Sequence, residues 1–211
     1  DFKGGEFILK NSNKKKTIGE IAFACYLPGT FGDVKSPLPE GVEPGLIETS
    51  FFDPSNFSFP SGTHICEAEV DEETGETNVV KYTVVDDFGT IINPLVVEGQ
   101  VYGGVAQGVG QALYENAHYD ESGQLTSASY MDYTMPRADN FPQIKLDYTC
   151  TPATSNPLGA KGCGEAGTIA APAAVMNAVI DAVGTDVSMP ATAEKVWKAC
   201  KELKKSNAKA A

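Results

Sequence analysis

Apolar positions along this chain switch between a period of two and a period near 3.6, and the switches mark its elements. Residues 63–70 and 77–85 read as two strands of a hairpin, joined across 71–76 with Gly75 placed for the turn. The second arm, Val79-Val-Lys-Tyr-Thr-Val-Val85, has the β-branched and aromatic bias of a well-buried strand. Upstream, the pattern predicts a short strand over 4–9, a short helix over 17–27 and a strand over 47–53. Thr17 with Glu20 three residues on is a capping-box signature for that helix. Pro and Gly crowd residues 28–45, which read as an ordered surface loop or a junction between lobes.

Downstream, Asn93-Pro94 opens a predicted helix that runs to about Glu115. A small hairpin over 117–129, a loop over 131–142 and a strand over 144–150 follow. Val175, Ala178, Val179, Ala182 and Val183 then recur at helical spacing up to Gly184. A last helix over 192–204 places Val196, Trp197, Cys200 and Leu203 on one side, with Trp197 expected in the core. Lys201, Lys204 and Lys205 are expected to complement the dipole at its end. The fold class is α+β: a hairpin-built mixed sheet with helices packed on it. The expected organisation is an N-terminal partial lobe with its connection over 1–50, a main domain over 51–205 and a tail over 206–211.

Charge narrows the function. Sixteen Lys and Arg against 28 Asp and Glu leave a net charge of −12, which argues against binding a phosphate backbone. Lys14-Lys15-Lys16, the one basic run, reads as a solvated turn. Five scattered cysteines (Cys25, Cys66, Cys150, Cys163, Cys200) form no CxxC and no zinc-type spacing. Their odd number fits a reducing compartment, and the expected location is cytoplasmic. The apolar run over 168–183 contains Pro172, Asn177 and Asp181, so it reads as a buried helix and not a membrane span.

Two stretches carry the candidate chemistry. The helix after Pro94 contains Gly99, Gly103, Gly104, Gly108 and Gly110, each costing roughly 0.5–1 kcal/mol relative to alanine. Close packing on a sheet, or close approach of a ligand, would account for them. Gln100, Gln107 and Gln111 share one face of that helix, a stripe that is also compatible with plain solvation. The second stretch, Gly159-Ala-Lys-Gly-Cys-Gly-Glu-Ala-Gly167, presents one carboxylate, Glu165, among small residues. A tightly turned loop can hold a general base in this way. Glu165 could equally serve only to favour the positive end of the next helix.

Together these residues make the chain resemble the molybdenum hydroxylases, the xanthine dehydrogenase/aldehyde oxidase family, and within it the large subunit of the carbon monoxide dehydrogenase type. Four segments carry the resemblance: Phe59-Pro-Ser-Gly-Thr-His-Ile65; Val85-Asp-Asp-Phe-Gly-Thr-Ile-Ile-Asn-Pro94; the glycine-rich segment from Glu98 to Glu115; and Gly159-Ala-Lys-Gly-Cys-Gly-Glu-Ala-Gly-Thr168. Met131-Asp-Tyr-Thr-Met-Pro-Arg137 and Met189-Pro-Ala-Thr192 add weaker support. The match runs from about residue 57 to 197.

The resemblance implies a molybdenum–pterin cofactor, leaning to the cytosine dinucleotide form and shared with a half-site this chain lacks. It implies that Glu165 is the base beside molybdenum and that Gln100 hydrogen-bonds the pterin. Gly103 and Gly104 would let the cofactor approach, Gly162 and Gly164 would shape the loop, and Lys161 would support it. No residue is expected to ligate the metal directly. Expected partners are the remainder of the large subunit, iron–sulfur and flavin subunits or domains, and a small-molecule substrate. Nucleic acid is not among them. The resemblance thus implies the C-terminal part of an oxidoreductase subunit, inactive by itself. One alternative is a non-catalytic assembly module of the same fold. Another is a small cysteine-dependent enzyme using Cys163 with His64 or His118.

Overall fold

The computed structural model describes residues 1–26 and 41–210. Contacts divide the chain into two units, Asp1–Asp53 and Pro54–Ala211. Most of the Pro/Gly-rich stretch over 28–45 lies outside the described residues.

In the first unit, β1 (Phe2–Lys3), β2 (Glu6–Ile8) and β3 (Lys15–Thr17) form an antiparallel meander that leads into α1 (Ile18–Tyr26). The strand expected over 4–9 is shortened to Glu6–Ile8, because Gly4 and Gly5 take φ of +60° and +81° and turn the chain. The capping box forms as expected. The Glu20 amide donates to Thr17 Oγ1 at 3.2 Å, and the Thr17 amide donates to Glu20 Oε2 at 2.8 Å. That amide, with the Lys16 ammonium behind it, pulls the Glu20 carboxyl down to about 2. Residues 47–53 form no strand. No described strand lies alongside to take up their backbone groups, and Ile47 and Phe51 stand in solvent.

The second unit is built on a three-stranded mixed sheet of β4 (Ser61–Val70), β5 (Thr77–Asp87) and β6 (Ile144–Thr149), in the order β4-β5-β6. β4 and β5 are the expected hairpin, whereas β6 runs parallel to β5, from Tyr82↔Ile144 to Asp87↔Thr149. Glu67 faces Lys81 but Ala68 faces Val79, so Val80 is an extra, bulged residue. The bulge reverses the alternation of β5. Val79 faces inward on one side of it, and Tyr82, Val84 and Asp86 face inward on the other.

Two helices, α2 (Pro94–Leu113) and α3 (Ala166–Val183), pack against each other, and α3 lies on the sheet. The Asn93 side chain caps α2 by accepting from the Val96 amide at 3.3 Å. Val97, Val101, Val105 and Val109 form its buried stripe, each contributing on the order of 1.5–3 kcal/mol by burial. Two of the five helix glycines, Gly104 and Gly108, serve packing of α2 on α3. A Cβ on Gly104 would stand 2.9 Å from Gly167 Cα, and one on Gly108 would meet Ala171 and Pro172.

α3 has the length and mean hydropathy of a membrane span, but here it is packed on α2 and the sheet. Pro172 lies in its second turn, so the Thr168 carbonyl receives no i+4 amide. Gly184, at φ +79°, ends it as expected.

The last helix, α4 (Ala193–Ala210), runs further than predicted. Val196 and Cys200 are buried, but Trp197 is 39 % exposed, with the Lys201 ammonium 5.9 Å from the ring centre. Trp197 is therefore an edge residue and not core, because the buried stripe of α4 turns away from it. Lys201 and Lys204 fall inside the helix and pair with Glu73 and Glu72 of the hairpin turn, instead of capping a C-terminus.

Candidate active site

The loop that carries Glu165 is pinned firmly before it and after it, and is bare between. Upstream, Asn156 clamps Ala160: its Nδ2 donates to the Ala160 carbonyl at 2.8 Å, and its Oδ1 accepts from the Ala160 amide at 3.2 Å. The Lys161 amide donates to the Phe88 carbonyl, and the Thr90 amide to the Gly159 carbonyl. Gly159 sits at φ +70° against Pro152 and Thr90, a position no side chain could share. The segment after β5 and the start of the loop are thus bound together as a bridge between Gly89 and Ala160.

Lys161 reinforces the clamp. Its ammonium lies 3.0 Å from Asp87 Oδ1, and both side chains are largely buried. Asp87 also accepts from the Gly89 amide at 2.8 Å. Hydrogen bonds from Thr151 first, then from the Gly89 amide, with Lys161 adding to them, hold the Asp87 carboxyl far below the usual carboxylate range.

Downstream, the loop becomes α3. Gly167 lies against α2 so closely that a Cβ there would overlap the Val101 carbonyl. The Thr168 hydroxyl donates to the Gly104 carbonyl at 3.0 Å and lies 3.2 Å from Gln107 Oε1. Between the two anchors, nothing stands within 4 Å of where a Gly164 Cβ would be, and only the Ser58 carbonyl, at 3.9 Å, is near that of Gly162.

Glu165 occupies the cap position of α3, yet its side chain makes no capping bond. The carboxylate is exposed and, among the described residues, forms no side-chain hydrogen bond and no ion pair. Its backbone carbonyl takes the Thr168 and Ile169 amides at 3.0 Å each, so the helix is started by the main chain alone.

On α2, Gln100, Gly103, Gln107 and Gln111 are exposed along one side of the contact with α3. Gly104 belongs to the helix–helix contact. Gly99 and Gly103 do not: a Cβ at either would meet nothing within 4 Å. These two glycines weaken the helix without relieving any internal clash. They leave a bare stretch of backbone with glutamine amides beside it, next to the first turn of α3.

The histidines and Cys163 are not brought together. His64 contacts Tyr82 and Asp86, His118 contacts Thr126, and Cys163 packs against the core. The cysteine-dependent reading therefore has no dyad to rest on. Sequence reasoning missed Asp87, Asn156 and Thr168. The one signal for Asp87 was a pair of acids ending an otherwise apolar strand.

Comparison with known proteins decides the family. Residues 1–142 match the model of the molybdopterin cofactor-binding domain. The chain belongs to that family. It is 37% identical over 207 residues to the carbon monoxide dehydrogenase large chain of Hydrogenophaga pseudoflava, covering 96% of this chain and 25% of the relative. It is 40% identical over 200 residues to the nicotine 6-hydroxylase large subunit of Paenarthrobacter nicotinovorans, covering 93% of this chain and 24% of the relative.

Among solved structures, a Cu,Mo-CO dehydrogenase superposes with a TM-score of 0.82 at 34% identity, over 96% of this chain and 25% of that one. The resemblance drawn from the motifs is confirmed, as is the α+β class. The chain spans about a quarter of the length of these relatives. For a molybdenum–pterin group, the open glycine backbone of α2, its glutamine amides and the free carboxylate of Glu165 form a fitting donor and acceptor set.

Proposed function

We propose that this chain is the C-terminal, pterin-binding part of the large subunit of a molybdenum hydroxylase, and that Glu165 is the base of its active site. The supporting observation is the unpartnered Glu165 carboxylate on a bare loop whose two ends are rigidly held. When bound, the molybdenum cofactor supplies a Lewis acid and a two-electron acceptor.

The chain's own residues do the rest. Glu165 takes a proton during attack of water-derived oxygen on the substrate carbon, and both its oxygens are free to do so. Gln100 donates its amide to the pterin, and Gly103 lets the cofactor lie on the α2 backbone, with Gly104 setting the helix spacing behind it. Gly162 and Gly164 keep side chains out of the space in front of Glu165. Lys161 acts by fixing the loop to Asp87 rather than by offering a free charge.

All these residues fall within 51–205, the stretch we propose as the cofactor-binding domain. Relatives named as large chains, or as a subunit of a dehydrogenase complex, support a multi-subunit setting. In that setting iron–sulfur and flavin modules would take the electrons onward. The carbon monoxide dehydrogenase likeness supports the cytosine dinucleotide form, and five free cysteines support a reducing, cytoplasmic location.

The test is made in the complete subunit. Glu165→Gln is expected to lower turnover by at least a hundredfold, within the range of a lost general base, while molybdenum content stays at the wild-type level. Near-normal turnover would sink the base assignment. Wild-type protein without molybdenum and without a partner chain would favour the non-catalytic module.

A further inference from the structure

Beside the loop, the first turn of α3 roofs a recess of about 170 Å³ whose lining includes Pro60, Gly62, His64, Asp86, Ala166 and Ile169. Asp86 lines it with a side chain only 3% exposed. Its Oδ2 is buried without any hydrogen-bond partner. The position is a built one: a Cβ on Gly62 would overlap Asp86 Oδ1, so only glycine lets the carboxylate lie there.

The groups facing Asp86 do not satisfy it. His64 Nε2 stands 3.4 Å from Oδ1, a long approach, while its Nδ1 is engaged by the Tyr82 hydroxyl at 3.0 Å. No Lys or Arg among the described residues pairs with Asp86. Leaving a buried carboxylate oxygen unmet is costly, and the cost falls when a cation or a strong donor reaches it.

The recess is bordered by Ile169, which is 70% exposed, and by Pro60, the residue that follows the exposed Phe57 and Phe59, whose rings are tilted with centroids 6.2 Å apart. A buried acid with apolar side chains at its mouth is the layout of an anchored interface, where a charged head enters and aromatic rims exclude water. At about 30 Å³ per water, the volume accommodates a guanidinium or ammonium head. The chain's net charge of −12 favours such an occupant.

We propose that this recess is a socket for an arginine or lysine side chain from the polypeptide that makes up the rest of the large subunit, with Asp86 as its counter-ion. This rests on the reading of the chain as part of such a subunit. Phe57, Phe59 and Ile169 seal the contact.

The test is a comparison of signs. Asp86→Asn and Asp86→Leu are made both in this 211-residue chain and in the complete large subunit, and thermal unfolding midpoints are measured. In the chain alone the midpoint rises, by roughly 2–4 °C. In the complete subunit it falls, because the cation is left buried and unpaired. A shift of the same sign in both proteins, or no shift in either, overturns the socket. Molybdenum is assayed in the same complete-subunit preparations. Sign reversal without molybdenum in wild type would leave the socket standing and remove the hydroxylase reading. Molybdenum without sign reversal would do the opposite.

Discussion

Two neighbouring aspartates at the end of β5 point to different surroundings. Asp86 faces His64 and the recess under α3, while Asp87 faces Lys161, the Gly89 amide and Thr151. The depressed folded-state titration of Asp87 carries a pH signature. A carboxyl whose folded pKa lies below its unfolded value of about 3.9 adds stability above that pH and loses it progressively below. Denaturant midpoints of the wild-type chain are therefore expected to fall steeply below about pH 4, with Asp87→Asn already less stable at pH 7 and flatter through the acid range. Parallel acid profiles for the two proteins would show that Asp87 does not anchor the loop. Lys161 was legible in the sequence as a residue supporting the loop that carries Glu165. Its partner was not, because Asp87 is 74 residues away in the chain.

At the scale of elements, glycines that look alike in sequence have opposite roles. Gly104 and Gly167 let α2 and α3 touch through backbone atoms, whereas Gly99 and Gly103 face open space. Gly104→Ala forces main chains apart and is expected to cost about 1–3 kcal/mol or more in the isolated chain. Gly103→Ala is expected to stabilise the same chain by roughly 0.5–1 kcal/mol through helix propensity. In the complete subunit it should lower molybdenum content. Urea unfolding and metal analysis of the pair read both effects. If Gly103→Ala leaves metal content untouched, the open face of α2 is not where the pterin lies. Helical periodicity put Gln100 and Gln107 on one face, and the structure does the same. Which neighbouring glycines meet α3 follows from how the two helices dock, which no periodicity contains.

At the scale of the whole molecule, the chain is a quarter of its relatives' length and carries large apolar side chains in solvent. Phe57, Phe59, Leu95, Tyr130, Met131 and Ile169 are each at least 70% exposed. Apolar surface of this kind associates unless it is covered. The isolated chain is expected to self-associate with rising concentration in sedimentation velocity, and the complete subunit is expected not to do so through these residues. A concentration-independent monomer would show that the exposed side chains do not form a contiguous patch.

The sequence alone determined what depends on neighbours a few residues apart. The capping box of α1, the β4–β5 hairpin with its Gly75 turn, the N-terminal cap of α2 and the glycine that ends α3 are all local matters of hydrogen bonding and period. The ordered motifs determined the family as well. Tertiary structure decided what depends on distant segments. It set β6 parallel to β5, left 47–53 without a partner strand among the described residues, moved Trp197 to the edge of the core and inserted the bulge at Val80. That bulge turns Asp86 inward, and docking of α3 on α2 and the sheet sets Glu165 free of partners. The physical reason is range: dihedral preferences and caps act within a turn or two, whereas burial and ion pairing are settled only when the whole chain has packed.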